Sequence, residues 1–130
     1  MLDGSRIAAV VPVSDLDAAV EFYEGVLGLR LVARRTDIPE NPEAEFSAGE
    51  GRLAVYKSVG AGRSRHTLAG FRVDDLEAAV ASLRERGVVF EDYDYPGLRT
   101  ADGIATLGDV RAAWFKDPDG NILALETVTE

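Results

Sequence analysis

The chain predicts an α+β fold of two tandem βαβββ modules whose mixed sheets curl around a central cavity. Three observations carry that expectation. First, Val13-Ser14-Asp15-Leu16-Asp17-Ala18-Ala19-Val20 returns sixty positions later as Val73-Asp74-Asp75-Leu76-Glu77-Ala78-Ala79-Val80. Self-similarity at that spacing marks a repeated structural unit. Second, each copy follows a short apolar run and leads to a glycine, Gly28 or Gly87, with a β-rich stretch beyond it. Third, 130 residues make one domain built of two such halves, module 1 over about 5–59 and module 2 over about 65–128.

The elements follow in order. Ile7 to Val13 is short, apolar and rich in β-branched residues, which reads as a buried strand. Ser14-x-x-Asp17 resembles a capping signal, and Leu16, Ala19, Val20, Tyr23 and Val26 recur at helical steps until Gly28 closes the helix. Leu29 to Arg34 is a second strand, Ile38 to Pro42 a loop, and strands near 44–48 and 52–58 flank the Gly49-Glu50-Gly51 turn. In the second half Thr67 to Val73 is a strand. Asp74 or Asp75 caps a helix with Leu76, Ala79, Val80 and Leu83 on its buried stripe, and Gly87 ends it. Val88 to Asp92 reads as a strand. Arg111–Lys116 and Asn121–Thr127 pair around Asp117-Pro118-Asp119-Gly120, where Pro fixes φ and Gly supplies a positive one. Tyr93 to Gly103 reads as a long loop with Gly97 and Gly103 as pivots of a lid. Gly60-Ala61-Gly62 reads as a linker, without phosphate-loop spacing.

Composition removes whole classes of function. With 46% apolar and 28% charged residues the chain is neither disordered nor membrane-spanning. No apolar run approaches the ~18 residues of a membrane helix, and the first residues do not resemble a signal peptide. A cytoplasmic location without a membrane partner is expected. Cysteine is absent, so there is no disulfide, thiolate ligand or cysteine nucleophile in this sequence. A net charge of −9 argues against nucleic acid, because counterion release needs a basic face. The same charge favours a neutral or cationic ligand.

Val-Ser-Asp-Leu-Asp at the first helix, Phe22-Tyr23…Leu27-Gly28-Leu29, Val73-Asp74-Asp75-Leu76 and Trp114-Phe115-Lys116-Asp117-Pro118-Asp119-Gly120-Asn121 together resemble the glyoxalase / bleomycin resistance protein / extradiol dioxygenase (vicinal oxygen chelate) superfamily. The resemblance implies the fold but no single activity. It also implies a homodimer, and a divalent metal held in catalytic members by His, Gln or Glu on four strands. Carried over by spacing, the ligand positions fall on Ala8, Leu68, Ala124 and Val55, or on Tyr56 if the register differs by one. Ala, Leu and Val offer a metal no lone pair, and His66 is the chain's one histidine. The expectation is therefore no metal and no cofactor.

Strand alternation sends Ala8 and Val10 to the cavity, together with Leu68 and Ala124. If Leu68 lay opposite Ala124 in antiparallel pairing, His66 would face Glu126, and Arg6 would face Lys57 by the same arithmetic. His66 with Glu126 would then form an acid–base pair, or merely an ion pair at a strand end. Trp114 could stack on a planar ligand or fill the core, and Phe46, Tyr56 and Tyr95 share that ambiguity. Arg99, and with it Arg34-Arg35, are candidates for an anionic group. Three readings follow. The first is a metal-free protein that binds a small molecule, such as an antibiotic or toxic metabolite. The second is a metal-independent isomerase or biosynthetic tailoring enzyme using His66 with Glu126 or Tyr56. The third is a closed scaffold acting through subunit assembly.

Overall fold

The computed structural model describes residues 1–129. It is an α+β fold with two mixed sheets and two compact units. The first comprises Met1–Ser64 and Asp117–Asn121, the second Arg65–Lys116 and Ile122–Glu130. Among the described residues no helix is long and apolar enough to cross a membrane.

The first unit has the βαβββ order its sequence predicts: β1 (Ala8–Val13), α1 (Leu16–Val20), β2 (Arg30–Arg35), β3 (Glu43–Ala48) and β4 (Gly51–Lys57), arranged β1-β4-β3-β2. β1 and β4 are parallel, whereas β3 is antiparallel to both of its neighbours. Alternation gives the sheet two different faces. Val11, Val13, Leu53, Val55, Ala44 and Phe46 are buried on the face that carries α1, with Leu16, Ala19, Val20 and Tyr23. The Tyr23 and Phe46 rings pack with centroids 5.8 Å apart.

Two local expectations change here. The cap of α1 is Asp15, whose carboxylate accepts from Ala18 N at 3.2 Å; Ser14 instead donates its backbone N–H to Asp119 Oδ2 at 3.0 Å. The helix also widens into a π turn over Glu21–Val26, with Leu27 N donating to Phe22 O. An apolar stripe at three- and four-residue steps does not reveal a single wide turn.

The Asp117–Asn121 turn is stitched into this unit by its side chains. Asp117 Oδ2 accepts from Tyr23 Oη at 2.7 Å and from Asn121 Nδ2 at 2.8 Å, and its Oδ1 accepts from the backbone N–H groups of Asp119 and Asn121. Asn121 Nδ2 also donates to Pro12 O at 2.7 Å, and Asn121 Oδ1 accepts from Gly62 N at 3.0 Å. Tyr23 and Asn121 are fully buried. Burial, reinforced by the Asp117 charge, pushes the Tyr23 phenol well above its ordinary range. Gly62 is more than a linker residue: its φ is +73°, and a β-carbon there would overlap the Asp119 carbonyl oxygen.

In the second unit β5 (Thr67–Arg72) leads to α2 (Leu76–Glu85), which Asp75 caps by accepting from Ala78 N at 3.0 Å. Asp15 and Asp75 thus hold equivalent places in the repeat. The expected strand at 88–92 is reduced to one bridge, Phe90 with Phe115. The expected lid is instead mostly strand: β6 (Asp94–Tyr95), β7 (Leu98–Ala101) and β8 (Ile104–Leu107) form a meander next to β9 (Val110–Lys116) and β10 (Ile122–Val128). Gly103 is no free pivot; it lies against Phe90 and under Arg84, whose guanidinium stacks on Phe90 and donates to Asp102 O. The sheet order is β5-β10-β9-β8-β7-β6. Leu123, Leu125, Phe115 and Ala69 are buried on the face that meets α2.

Candidate ligand-binding faces

Each unit leaves one sheet face without a helix of its own, and the register decides what stands there. In the first unit Ala8, Val10 and Pro12 pair with Arg52, Ala54 and Tyr56, which continue into Ser47, Glu45 and Glu43. Val10 and Tyr56 are 58% and 38% exposed, so this face is open. Val55 pairs with Val11 on the other face and is fully buried, as is Phe46 opposite Leu53. Both therefore belong to the core under α1, not to a ligand face. Of Val55 and Tyr56 only Tyr56 stands on the open face, because a shift of one residue exchanges the faces.

The same face carries a charge network that sequence reasoning missed. Arg35 donates to Glu43 Oε1 at 3.0 Å and to Glu45 Oε1 at 2.9 Å, and Arg52 Nε lies 3.6 Å from Glu45 Oε2. The hydrogen bonds to Glu45 and then Glu43 push the Arg35 guanidinium further up. Arg34 pairs with Asp17 at 2.6 Å. Arg34 and Arg35, expected as anion binders, are both committed to carboxylates of this unit. Part of the signal was available: Glu43-x-Glu45 read at period two puts both carboxylates on one face of β3, with Arg35 opposite Glu43 and Arg52 diagonal to Glu45.

In the second unit β5 and β10 are parallel, which overturns the expected pairing. Ala124 stands beside Gly70, and Leu68 falls in an irregularity between the Ile122 and Leu123 pairs. Glu126 pairs with Arg72 and accepts from its Nη2 at 3.2 Å. His66 precedes Thr67, at the far end of the strand from Arg72 and roughly 20 Å away along it. His66 and Glu126 therefore do not face each other. In the first unit Lys57 stands beside Val13, not Arg6, for the same reason.

What the register does assemble is an aromatic corner. Gly70, Ala124 and Trp114 form one row across β5, β10 and β9, and Arg72, Glu126 and Ala112 form the next. Tyr93 meets the Trp114 indole edge-on at 5.6 Å, and Tyr95 meets Tyr93 at 5.9 Å. Trp114 and Tyr93 are half-buried, whereas Tyr95 is 50% exposed. Burial pushes the Tyr93 phenol up. Gly70 is exposed, and a β-carbon built on it meets no atom within 4 Å. Arg99 lies on the β6–β7 hairpin, 3.3 Å from Asp94 and largely in solvent.

A model of the Glyoxalase/Bleomycin resistance protein/Dioxygenase superfamily matches residues 6–125. The chain belongs to that superfamily. No curated protein matches its sequence, but solved structures do. One is TnmS3, an antibiotic-binding protein from Streptomyces sp. CB03234, with 26% identity, 99% of both chains covered and a TM-score of 0.72. A glyoxalase/bleomycin resistance protein from the same Streptomyces is 28% identical over 93% of this chain and 98% of its own, with a TM-score of 0.68. The genomically encoded fosfomycin resistance protein FosX of Listeria monocytogenes is 16% identical over 99% and 95% of the two chains, at a TM-score of 0.69. At that identity FosX shows the shared fold alone.

The metal-ligand positions of the superfamily do not fit a divalent ion in this chain. Ala8, Leu68 and Ala124 have no side-chain donor atom, and a phenol such as that of Tyr56 is not among the usual ligands of hard or borderline ions. The nearby carboxylates Glu43, Glu45 and Glu126 are bound to arginines. Among the described residues no group of three or more His, Cys, Asp or Glu could hold a metal.

Proposed function

We propose that this chain is a metal-free small-molecule binding protein of the superfamily, one that sequesters an antibiotic or toxic metabolite in the cytoplasm. One observation carries the reading. Positions that resemblance assigns to a metal hold Ala8, Leu68 and Ala124, and the face around Ala124 offers open room at Gly70 beside aromatic rings. Apolar walls with a few polar groups are what a ligand site needs. The 26% identity to an antibiotic-binding protein over nearly the whole chain supports the same reading. The net charge of −9 favours a neutral or cationic ligand. The enzymic alternative uses His66 with Glu126 or Tyr56, and the parallel register removes support from the Glu126 version alone. We further propose a homodimer, since a second copy is an economical way to cover open strand edges.

The test is a thermal-shift screen of the purified chain against antibiotics and neutral or cationic metabolites. A ligand at a hundredfold excess over its dissociation constant adds about 2.7 kcal/mol of stability, a rise of roughly 8 °C at this size. At least one compound class is expected to reach that shift and to be recovered unchanged. Recovery of a chemically altered compound would move the assignment to an enzyme, and silence across the whole panel would refute ligand binding.

A further inference from the structure

We infer that the segment Arg63–His66 is a processing site for an arginine-specific serine protease, and that the cut chain keeps its first unit folded as a complex of two pieces. The inference is independent of the ligand reading and adds a point of control to the scaffold.

Charge singles out the segment. The chain has 23 acidic residues, yet none falls between Glu50 and Asp74. That window holds Arg52, Lys57, Arg63, Arg65, His66 and Arg72. A protease that cuts after arginine seats the guanidinium on a carboxylate of its own, so acidic neighbours in a substrate are repelled. Arg52 and Lys57 lie in β4 and Arg72 in β5, whereas Arg63 and Arg65 are exposed and outside both strands. A strand must leave its ladder before a protease can take it as an extended segment; exposed irregular chain need not. The backbone hydrogen bonds just before the cut are long, 3.4 Å from Ala61 N to Ser58 O and from Arg63 N to Gly60 O. Arg86, by contrast, caps α2 with its N–H bonded to Leu83 O at 3.0 Å.

The step itself is hydrolysis, and water is the co-reactant. One water adds across the Arg63–Ser64 or Arg65–His66 amide. The carbonyl carbon keeps the hydroxyl and ends as the arginine carboxylate, while the nitrogen takes the proton and becomes a new amino terminus.

What the cut does follows from the make-up of the first unit, which is not continuous in sequence. It joins Met1–Ser64 to Asp117–Asn121, a turn that lies beyond the linker. Four hydrogen bonds cross between these stretches: Tyr23 Oη to Asp117 Oδ2, Asn121 Nδ2 to Pro12 O, Ser14 N to Asp119 Oδ2 and Gly62 N to Asn121 Oδ1. Tyr23 and Asn121 are fully buried, so water does not compete for their bonds. Both scissile bonds fall after Gly62, and all four bonds survive the cut. Unfolding of one chain then becomes dissociation of two, and persistence of the fold comes to depend on concentration.

The test is limited digestion of the folded full chain with trypsin, followed by mass spectrometry and gel filtration. Cleavage after Arg6 only trims the terminus, so the readout is the first cut that divides the chain. That cut should fall after Arg63 or Arg65 and give pieces of about half the chain's length. The pieces should elute together, and dilution should lower their unfolding midpoint more steeply than that of the uncut chain. Tyr23→Phe, which leaves the uncut chain folded, should raise about fivefold the concentration at which half of the pieces have parted. A first dividing cut after Arg72, Arg84, Arg86 or Arg99 would overturn the site. Pieces that part as soon as the linker is cut would overturn the complex, and an unchanged parting concentration in Tyr23→Phe would overturn the turn as what holds it.

Discussion

Gly62→Ala will destabilise the protein by about 3 kcal/mol, seen as a lower urea midpoint at unchanged slope. Left-handed backbone costs a residue with a β-carbon about 1–2 kcal/mol, and Gly62 sits at φ +73°. The new β-carbon would also overlap the carbonyl oxygen of Asp119, a backbone atom that cannot swing away. Relief requires the segment to move, which breaks the Gly62 N to Asn121 Oδ1 hydrogen bond for about 1 kcal/mol more. Gly97→Ala is the control: its φ is +85°, but its β-carbon would meet nothing within 4 Å, so about 1 kcal/mol is expected. Equal losses in the two variants would show that the close approach to Asp119 contributes nothing.

Asp117→Ala will cost about 4 kcal/mol, because one carboxylate accepts from four donors and the chain offers no replacement. Three of those donors belong to Tyr23 and Asn121, which are wholly buried and cannot turn to water. Asp117→Asn keeps one acceptor oxygen and should cost about half as much. The network also predicts a pH signature. The folded phenol of Tyr23 is raised, by burial first and by Asp117 next, above the value near 10 that it has when unfolded. Its contribution is therefore complete below pH 10 and is lost as the pH climbs above that value, where the unfolded chain releases a proton that the folded one keeps. Tyr23→Phe should lower stability at pH 7 by about 1 kcal/mol and flatten the alkaline decline. An alkaline slope identical in parent and Tyr23→Phe would place the decline elsewhere.

Much of this architecture is legible in the chain because period-two and period-3.6 patterns are local. β1–β5, β9 and β10 and the presence of both helices follow from runs such as Ile7 to Val13 and from the repeat itself. β6–β8 were hidden because strands of two to four residues in a Gly-, Asp- and Tyr-rich stretch resemble a loop. The site was harder. A face depends on register, and register on which strands are neighbours and in which direction they run. One wrong direction for β5 against β10 paired His66 with Glu126, and one residue of phase separates buried Val55 from exposed Tyr56. Gly62 could not be distinguished from a linker glycine, since its partner Asp119 is far along the chain and only tertiary packing brings them together. Trp114 is visible in the sequence as an aromatic on the strand before the Asp117 turn, but whether it lines a ligand or fills the core is not. Alternation alone puts Gly70 on the same face of β5 as Leu68, whereas placing Trp114 in its row and Tyr93 beside Trp114 needs the sheet order.

The most direct measurement is the metal content of the purified chain together with ligand affinity before and after exhaustive chelation. Less than a tenth of an equivalent of any divalent ion (roughly what adventitious binding leaves) and an affinity unchanged by chelator are the predicted results. A stoichiometric zinc, manganese, nickel or iron whose removal abolishes ligand binding would contradict the assignment of Ala8, Leu68 and Ala124 as positions that hold no ion.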